Sequence, residues 1–399
     1  MTRLIAYLST PGGLTGAPRR VLTLASVLTK NGLEVCIASP SDSDLIETAD
    51  AEGQETVALD PVGVLALRGG ALSAGGVWFR ARVIVALLRQ NLRLLRCIRR
   101  RKGDVLWVRG GKGIAFGALG GILSRRPLIW DVDYEPPSRG VVRCLHRIGL
   151  WAASAVVFQY SAAPDAIFGR TLAARYRDRF RVIIPGIDLP LVRRFRALRE
   201  RRDGSGDDPF VILQVGSIGD RKNQQTLIEA VAQAIRVSGR RNIRVRLAGE
   251  EFDQAYAGAL REMVSAHGLE DIVEFLGWRS DVHDLMVGSD LLAMPSRDEG
   301  VPNAVQEAMA VGLPVAVSDV GGLPEIVANG ETGWVLGADN AAQWAERIQW
   351  CIDHPDESEA IGRRGSAYAV EHFGAEHWGP EYARVIAGVV EHGTGQRTA

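Results

Sequence analysis

The chain has 399 residues, 46% of them hydrophobic and 24% charged, which excludes a disordered or fibrous protein and fits two globular domains of ordinary size. Lys and Arg equal Asp and Glu at 47 each, but residues 1–200 hold 30 basic against 16 acidic side chains, net +14, and residues 201–399 hold 17 against 31, net −14. No apolar run reaches the roughly eighteen residues of a membrane span, and the chain passes from Thr2 and Arg3 directly into LIAYL, so neither a transmembrane helix nor a secretory signal is expected. Cys36, Cys97, Cys144 and Cys351 lie far apart without C-x-x-C spacing, the pattern of buried, reduced thiols in a cytoplasm. The basic half calls for a polyanion, and nucleic acid, an anionic membrane and a phosphorylated substrate all qualify.

In chain order, short apolar runs at 4–9, 33–39, 104–109, 127–132, 154–160 and 180–185 alternate with helical stretches, the pattern of a parallel, doubly wound sheet. A polar, glycine-containing stretch at 197–209 reads as a linker, and the pattern restarts with runs at 210–216, 243–249, 272–277, 290–294 and 314–318. After Asn340 everything reads helical. The expected architecture is α/β: two Rossmann-like domains, residues 1–195 and 205–370, facing across a cleft, with a helical tail over 371–399 that packs back toward the first. Such sheets bind ligands at the carboxyl ends of their strands.

Three loops follow predicted strand ends. STPGGLTGAPRR carries Gly12, Gly13 and Gly16 ahead of a helix near Arg19; it does not match G-x-G-x-x-G, and a tight turn and a ligand loop explain it equally well. QVGSIGDRKNQQTLIEA ends its strand at Gly216 and sets Arg221 and Lys222 before a helix starting near Asn223. Two cations beside a helix start can neutralise a diphosphate, with hydrogen bonds to charged groups contributing roughly 1.5–3 kcal/mol each. PSRDEGVPNAVQEAMAVGLPVAVSDVGGLPEIVANGETGWVL, from Pro295 to Leu336, places Glu299 and Glu307 eight positions apart across a loop that opens a helix. Its first turn, Gly300, Val301, Pro302, Asn303 and Ala304, offers backbone N–H groups to an anion. The two carboxylates make sense as acceptors from hydroxyls, one set on a sugar and one on a ribose, as a nucleotide-sugar presents them.

Together these segments resemble, over nearly the whole chain, the retaining nucleotide-sugar glycosyltransferases of family 4, which have the GT-B architecture. The resemblance implies that Glu307 accepts the ribose hydroxyls and Glu299 contacts the donor sugar. It implies that Arg221 and Lys222 hold the diphosphate, and that Val301, Pro302, Asn303 and Ala304 touch sugar and phosphate. The base would lie against Trp278 and Arg279, and Gly12, Gly13 and Gly16 would close over the phosphate. The implied reaction is metal-independent hexosyl transfer from a UDP- or GDP-sugar, needing no cofactor, to a glycan or lipid-linked hydroxyl in polysaccharide or glycolipid synthesis. The departing phosphate oxygen takes the acceptor proton, and configuration is retained.

The family often has a histidine after a strand of the first domain, where PLIWDVDYEPP instead offers Asp131, Asp133 and Glu135, with Asp133 the candidate replacement. The only histidine in this half, His146, reads as structural. Pro185 stands where the family commonly has asparagine. These departures motivate the alternative of a noncatalytic GT-B protein that binds a nucleotide or glycan as a regulator. Lys222, Glu299 and Glu307 oppose it, and a sugar epimerase would want acid and base groups that this half does not offer.

Residues 77–102 read as a basic amphipathic helix, with Arg82, Arg89, Arg93, Arg96 and Arg100 near one face and Ile84, Leu88, Leu92, Leu95 and Ile98 near another, preceded by Trp78 and Phe79. Each basic residue near anionic lipid contributes roughly 1 kcal/mol. The expected partner is therefore an anionic membrane surface, at the inner leaflet of a cytoplasmic, peripheral protein. Stacking aromatics are not interleaved with these arginines, so nucleic acid is not expected.

Overall fold

A computed structural model describes residues 1–10, 13, 16–66, 77–132, 140–200 and 208–395. The chain divides into two compact units, Met1–Pro185 with Ala375–Ala399, and Gly186–Gly374.

The first unit is built from β1 (Arg3–Tyr7), α1 (Gly16–Lys30), β2 (Glu34–Ser39), α2 (Asp44–Ala51), β3 (Glu55–Ala58), α3 (Val77–Arg100), β4 (Val105–Arg109), α4 (Gly110–Ser124), β5 (Leu128–Val132), α5 (Gly140–Ala152), β6 (Ala155–Phe158), α6 (Ala163–Phe168), α7 (Arg170–Arg175) and β7 (Phe180–Val182). All its strand pairs are parallel, in the order β3-β2-β1-β4-β5-β6-β7. The central strands are apolar runs because helices cover both faces. Ile5, Tyr7, Leu106, Val108 and Trp130 pack on one side with residues of α3, α4 and α5. Leu4, Ala6, Val105, Trp107 and Ile129 pack on the other with residues of α1 and α2 and with Trp378, Tyr382 and Ile386.

The second unit runs through α8 (Leu189–Arg199), β8 (Phe210–Val215), α9 (Gln224–Ser238), β9 (Ile243–Ala248), α10 (Gln254–Ala266), β10 (Val273–Gly277), α11 (Val282–Val287), β11 (Leu291–Met294), α12 (Asn303–Val311), β12 (Val315–Ser318), α13 (Leu323–Ile326), β13 (Trp334–Leu336), α14 (Ala341–Asp353) and α15 (Pro355–His372). Its parallel sheet has the order β10-β9-β8-β11-β12-β13. The last helix, α16 (Ala375–Gly395), returns to the first unit.

Several expectations need correction. The units divide before α8 and not at the linker, because Leu189, Val192 and Phe195 are buried within the second unit, and Arg199 donates to the carbonyls of Gly312 (3.2 Å) and Ser289 (2.5 Å). The edge strands β3 and β13 were not anticipated from the sequence. Cys36, Cys97 and Cys351 are buried, with burial pushing the Cys36 thiol up to about 12, but Cys144 is exposed on α5. On α3, Leu95 and Ile98 are buried, whereas Trp78, Ile84, Val85, Leu88 and Leu92 are exposed.

Candidate functional site

In the second sheet the chain reverses its direction of strand addition between β8 and β11, and the segments leaving these two neighbours bring the predicted charges together. After β8 the backbone makes a tight turn at Asp220–Lys222, passes through Asn223 in the left-handed region (φ 54°) and enters α9. After β11 it runs through Ser296 and Glu299 into α12. Lys222 Nζ donates to Glu299 Oε1 at 2.5 Å, Arg221 Nη1 donates to Glu299 Oε2 at 3.1 Å, and Ser296 Oγ donates to Oε1 at 3.0 Å. The side chains of Lys222 and Glu299 are only 10% and 6% exposed, so this ion pair is desolvated while Arg221 reaches the surface at 38%. Burial alone would push the Glu299 carboxyl up, but the Lys222 and Arg221 cations together hold it below its ordinary value. One carboxylate against two cations leaves a net positive charge. The carboxylate that was expected to meet sugar hydroxyls therefore also orients the two cations expected to meet phosphate.

Neighbouring backbone is shaped to fit this group. Gly216 has φ +145°, and a Cβ there would sit 2.7 Å from Lys222 Cε, so the end of β8 leaves room for the lysine stem. Gln214 Nε2 donates to Lys222 O at 2.7 Å. Gly321, at φ +56°, lies so close to the Glu299 loop that a Cβ would fall 1.7 Å from Glu299 O. Val301 is buried, Pro302 is extended, and Asn303 and Ala304 form the first turn of α12, whose N–H groups point out of the helix start.

Glu307 lies further along α12, with Oε2 3.3 Å from His283 Nε2, within ion-pair range when the imidazole is protonated but not aligned for a hydrogen bond. His283 is buried and stacks on Phe195 with ring centroids 4.8 Å apart. Trp278, just after β10, is exposed, and the Arg279 guanidinium donates to both Asp281 carboxylate oxygens, at 2.8 and 2.5 Å.

In the first unit Gly13 and Gly16 lie in the segment leading into and opening α1, while Gly12 and Asp133 lie outside the described residues. Asp131 is fully buried and accepts from Tyr382 OH at 2.7 Å and from Arg109 Nη1 at 3.3 Å. Burial, then the Asp131 charge, raises the Tyr382 hydroxyl well above its ordinary value. His146 is buried, its ring 5.1 Å from that of Phe168 and 5.8 Å from that of Trp130, as a structural histidine. On α3, Arg82, Arg89, Arg96 and Arg100 are exposed, but Arg93 turns back to donate to Asp60 O at 2.9 Å.

Sequence reasoning missed Asn223, Ser296 and His283. Asn223 Nδ2 donates to Pro295 O and Ala338 O, both at 3.0 Å, and to Asp339 Oδ1 at 3.1 Å, tying three loops together. An asparagine just before a helix, tolerant of the left-handed region, was the available signal.

Residues 196–367 match the family described as Glycosyl transferases group 1. The matched segment lies within the second unit. The chain is 32% identical over 208 residues to a D-inositol 3-phosphate glycosyltransferase of Corynebacterium efficiens, covering 50% of this chain and 48% of that protein. It thus spans about half the length of the curated relatives it matches. Among solved structures it is similar to HepE of Anabaena, determined with UDP and glucose, at a TM-score of 0.78 and 19% identity, covering 97% of this chain and 100% of that one. It is equally similar to a sucrose-phosphate synthase from Thermosynechococcus elongatus, at a TM-score of 0.78 and 20% identity over the same shares. These likenesses establish the GT-B fold of the two parallel-sheet units.

Proposed function

We propose that the chain is a retaining, metal-independent hexosyltransferase of family 4 that uses a UDP- or GDP-sugar. The observation that carries this reading is the Lys222–Glu299–Arg221 cluster at the switch point of the second sheet, within a group 1 domain and beside the start of α12. Arg221, Lys222 and the helix start would bind the diphosphate and stabilise the charge that builds as the bond from anomeric carbon to phosphate oxygen breaks. The acceptor hydroxyl forms its bond to that carbon on the same face, and its proton passes to the departing phosphate oxygen. Glu307 would take the ribose, and Trp278 and Arg279 would border the base.

For the acceptor, the outward arginines of α3 beside exposed Trp78 support a glycan on an anionic lipid carrier, used at the inner leaflet by a peripheral protein. Among the described residues no helix is long and apolar enough to cross a membrane.

Thermal unfolding with UDP-, GDP- and ADP-sugars in the presence of a chelator tests the donor reading. One nucleotide series should raise the Tm, and Glu307→Ala should abolish most of the rise by weakening ribose binding. A Tm unmoved by every donor, with or without added divalent metal, would sink the assignment.

A further inference from the structure

Three helices cover one face of the first sheet side by side. α4 lies in the middle: Gly117 and Gly120 admit α3 so closely that a Cβ at Gly120 would fall 3.1 Å from Asn91 O, and Gly120 N donates to Asn91 Oδ1 at 3.1 Å. On its other side Ile114 approaches α5, whose Gly149 has room for no Cβ, since one would lie 2.8 Å from Ile114 Cγ1. The outward residues of the three helices therefore form one continuous surface. Along α4 it presents Lys112, Leu119 and Leu123; along α5 it presents Arg147, Ile148 and Trp151; along α3 it presents Trp78, Leu88 and Leu92 with the arginines. Trp78 is 87% and Trp151 64% exposed, unusual for the largest amphipathic side chain.

Charge on this surface has one sign. α3, α4 and α5 together hold ten Lys and Arg and no Asp or Glu. The helices over the opposite face of the same sheet, α1, α2 and α16, hold six Asp and Glu. The basic excess is thus concentrated on the face that also exposes tryptophan, leucine and isoleucine. A shallow pocket of about 320 Å³ opens at its edge, lined by Val62, Val64, Trp78 and Val85 with Arg82 and Arg89.

We propose that α3, α4 and α5 form a single docking face for an anionic bilayer, with Trp78 and Trp151 as interfacial anchors on its two outer helices. Apolar side chains between cations match a surface whose phosphates lie above acyl chains, and tryptophan favours that boundary. A nucleic acid would not call for the exposed leucines. This deepens the membrane part of the functional reading: α3 alone is one edge of the contact, and α4 and α5 supply the rest.

Flotation of the full chain with phosphatidylcholine vesicles, with and without phosphatidylglycerol, tests it in two surface variants, Ile148→Ser with Trp151→Ser, and Leu119→Ser with Leu123→Ser. The native chain should float only with the anionic vesicles, and each double variant should lose roughly tenfold in partition while keeping its thermal unfolding midpoint. Variants that float like the native chain would reduce the contact to α3 and overturn the composite face. A native chain that ignores anionic vesicles but self-associates through these residues would overturn the lipid occupant as well. Donor-induced Tm shifts on the same preparations keep the two readings apart, because they report on the second unit whatever the vesicles show.

Discussion

Glu299 illustrates how one residue can look misplaced in sequence and well placed in space. A carboxylate ahead of a helix start, whose N–H groups suit an anion, should repel that anion, yet its two oxygens are taken by Lys222, Arg221 and Ser296. The spacing of the motif made Lys222 and Glu299 visible as candidates, but their pairing across 77 positions of chain was not legible, because sequence separation carries no distance. The pairing has a measurable consequence. Glu299→Gln should destabilise the second unit by about 3–5 kcal/mol at neutral pH, since it leaves the Lys222 charge buried without its counter-ion. Adding Lys222→Met should recover part of that loss, which a double-mutant cycle by denaturant unfolding would measure. The carboxyl is held below its ordinary value of 4.5, so its contribution is fully present above that pH and fades as pH falls through the depressed value. The native chain should therefore show a steeper acid loss of Tm below about pH 4.5 than the Glu299→Gln variant.

Between elements, the site depends on loops that hold one another. Asn223 stands between the turn at Asp220–Lys222 and α9, and its one amide group reaches the loop after β11 and the loop after β13. Asn223→Gly keeps the left-handed backbone but leaves the carbonyls of Pro295 and Ala338 without this donor. A buried acceptor left unsatisfied costs about 1–3 kcal/mol. The expected outcome is a lower Tm with a weakened donor-induced shift, read by the same thermal assay; an unchanged Tm and shift would show that the loops keep their places without the clamp. Legibility at this scale followed the length of the apolar run. Strands such as β4 and β5 are covered on both faces and read as continuous apolar runs, whereas β3 and β13 lie at sheet edges, run three or four residues and gave no such run. The helical period of α3 was legible, but which of its leucines face outward was set by the sheet and by α4, so Leu95 and Ile98 turned out to be buried.

At the scale of the whole chain, the C-terminal segment matters most. The chain leaves the first unit at Pro185, builds all of the second, and returns at Ala375 to lay α16 on α1. Trp378, Tyr382 and Ile386 are buried in the core that contains Val21, Leu24 and Leu28, and Tyr382 reaches Asp131 at the end of β5. Gly379 sets the closeness of this contact, since a Cβ there would fall 2.0 Å from Val27 Cγ1. Gly379→Val should thus lift α16 from α1 and strip the first unit of part of its core. Overpacking of this kind typically costs about 1–3 kcal/mol and, where it separates two helices, removes their buried contacts too. The segment that matches the group 1 family, residues 196–367, contains none of these residues. Calorimetry of this variant of the 399-residue chain should accordingly show the first unit melting earlier and apart, while a second transition at higher temperature still rises with the nucleotide-sugar. A single transition that falls as one, with the donor shift lost, would mean that the second unit does not keep its fold without an intact first.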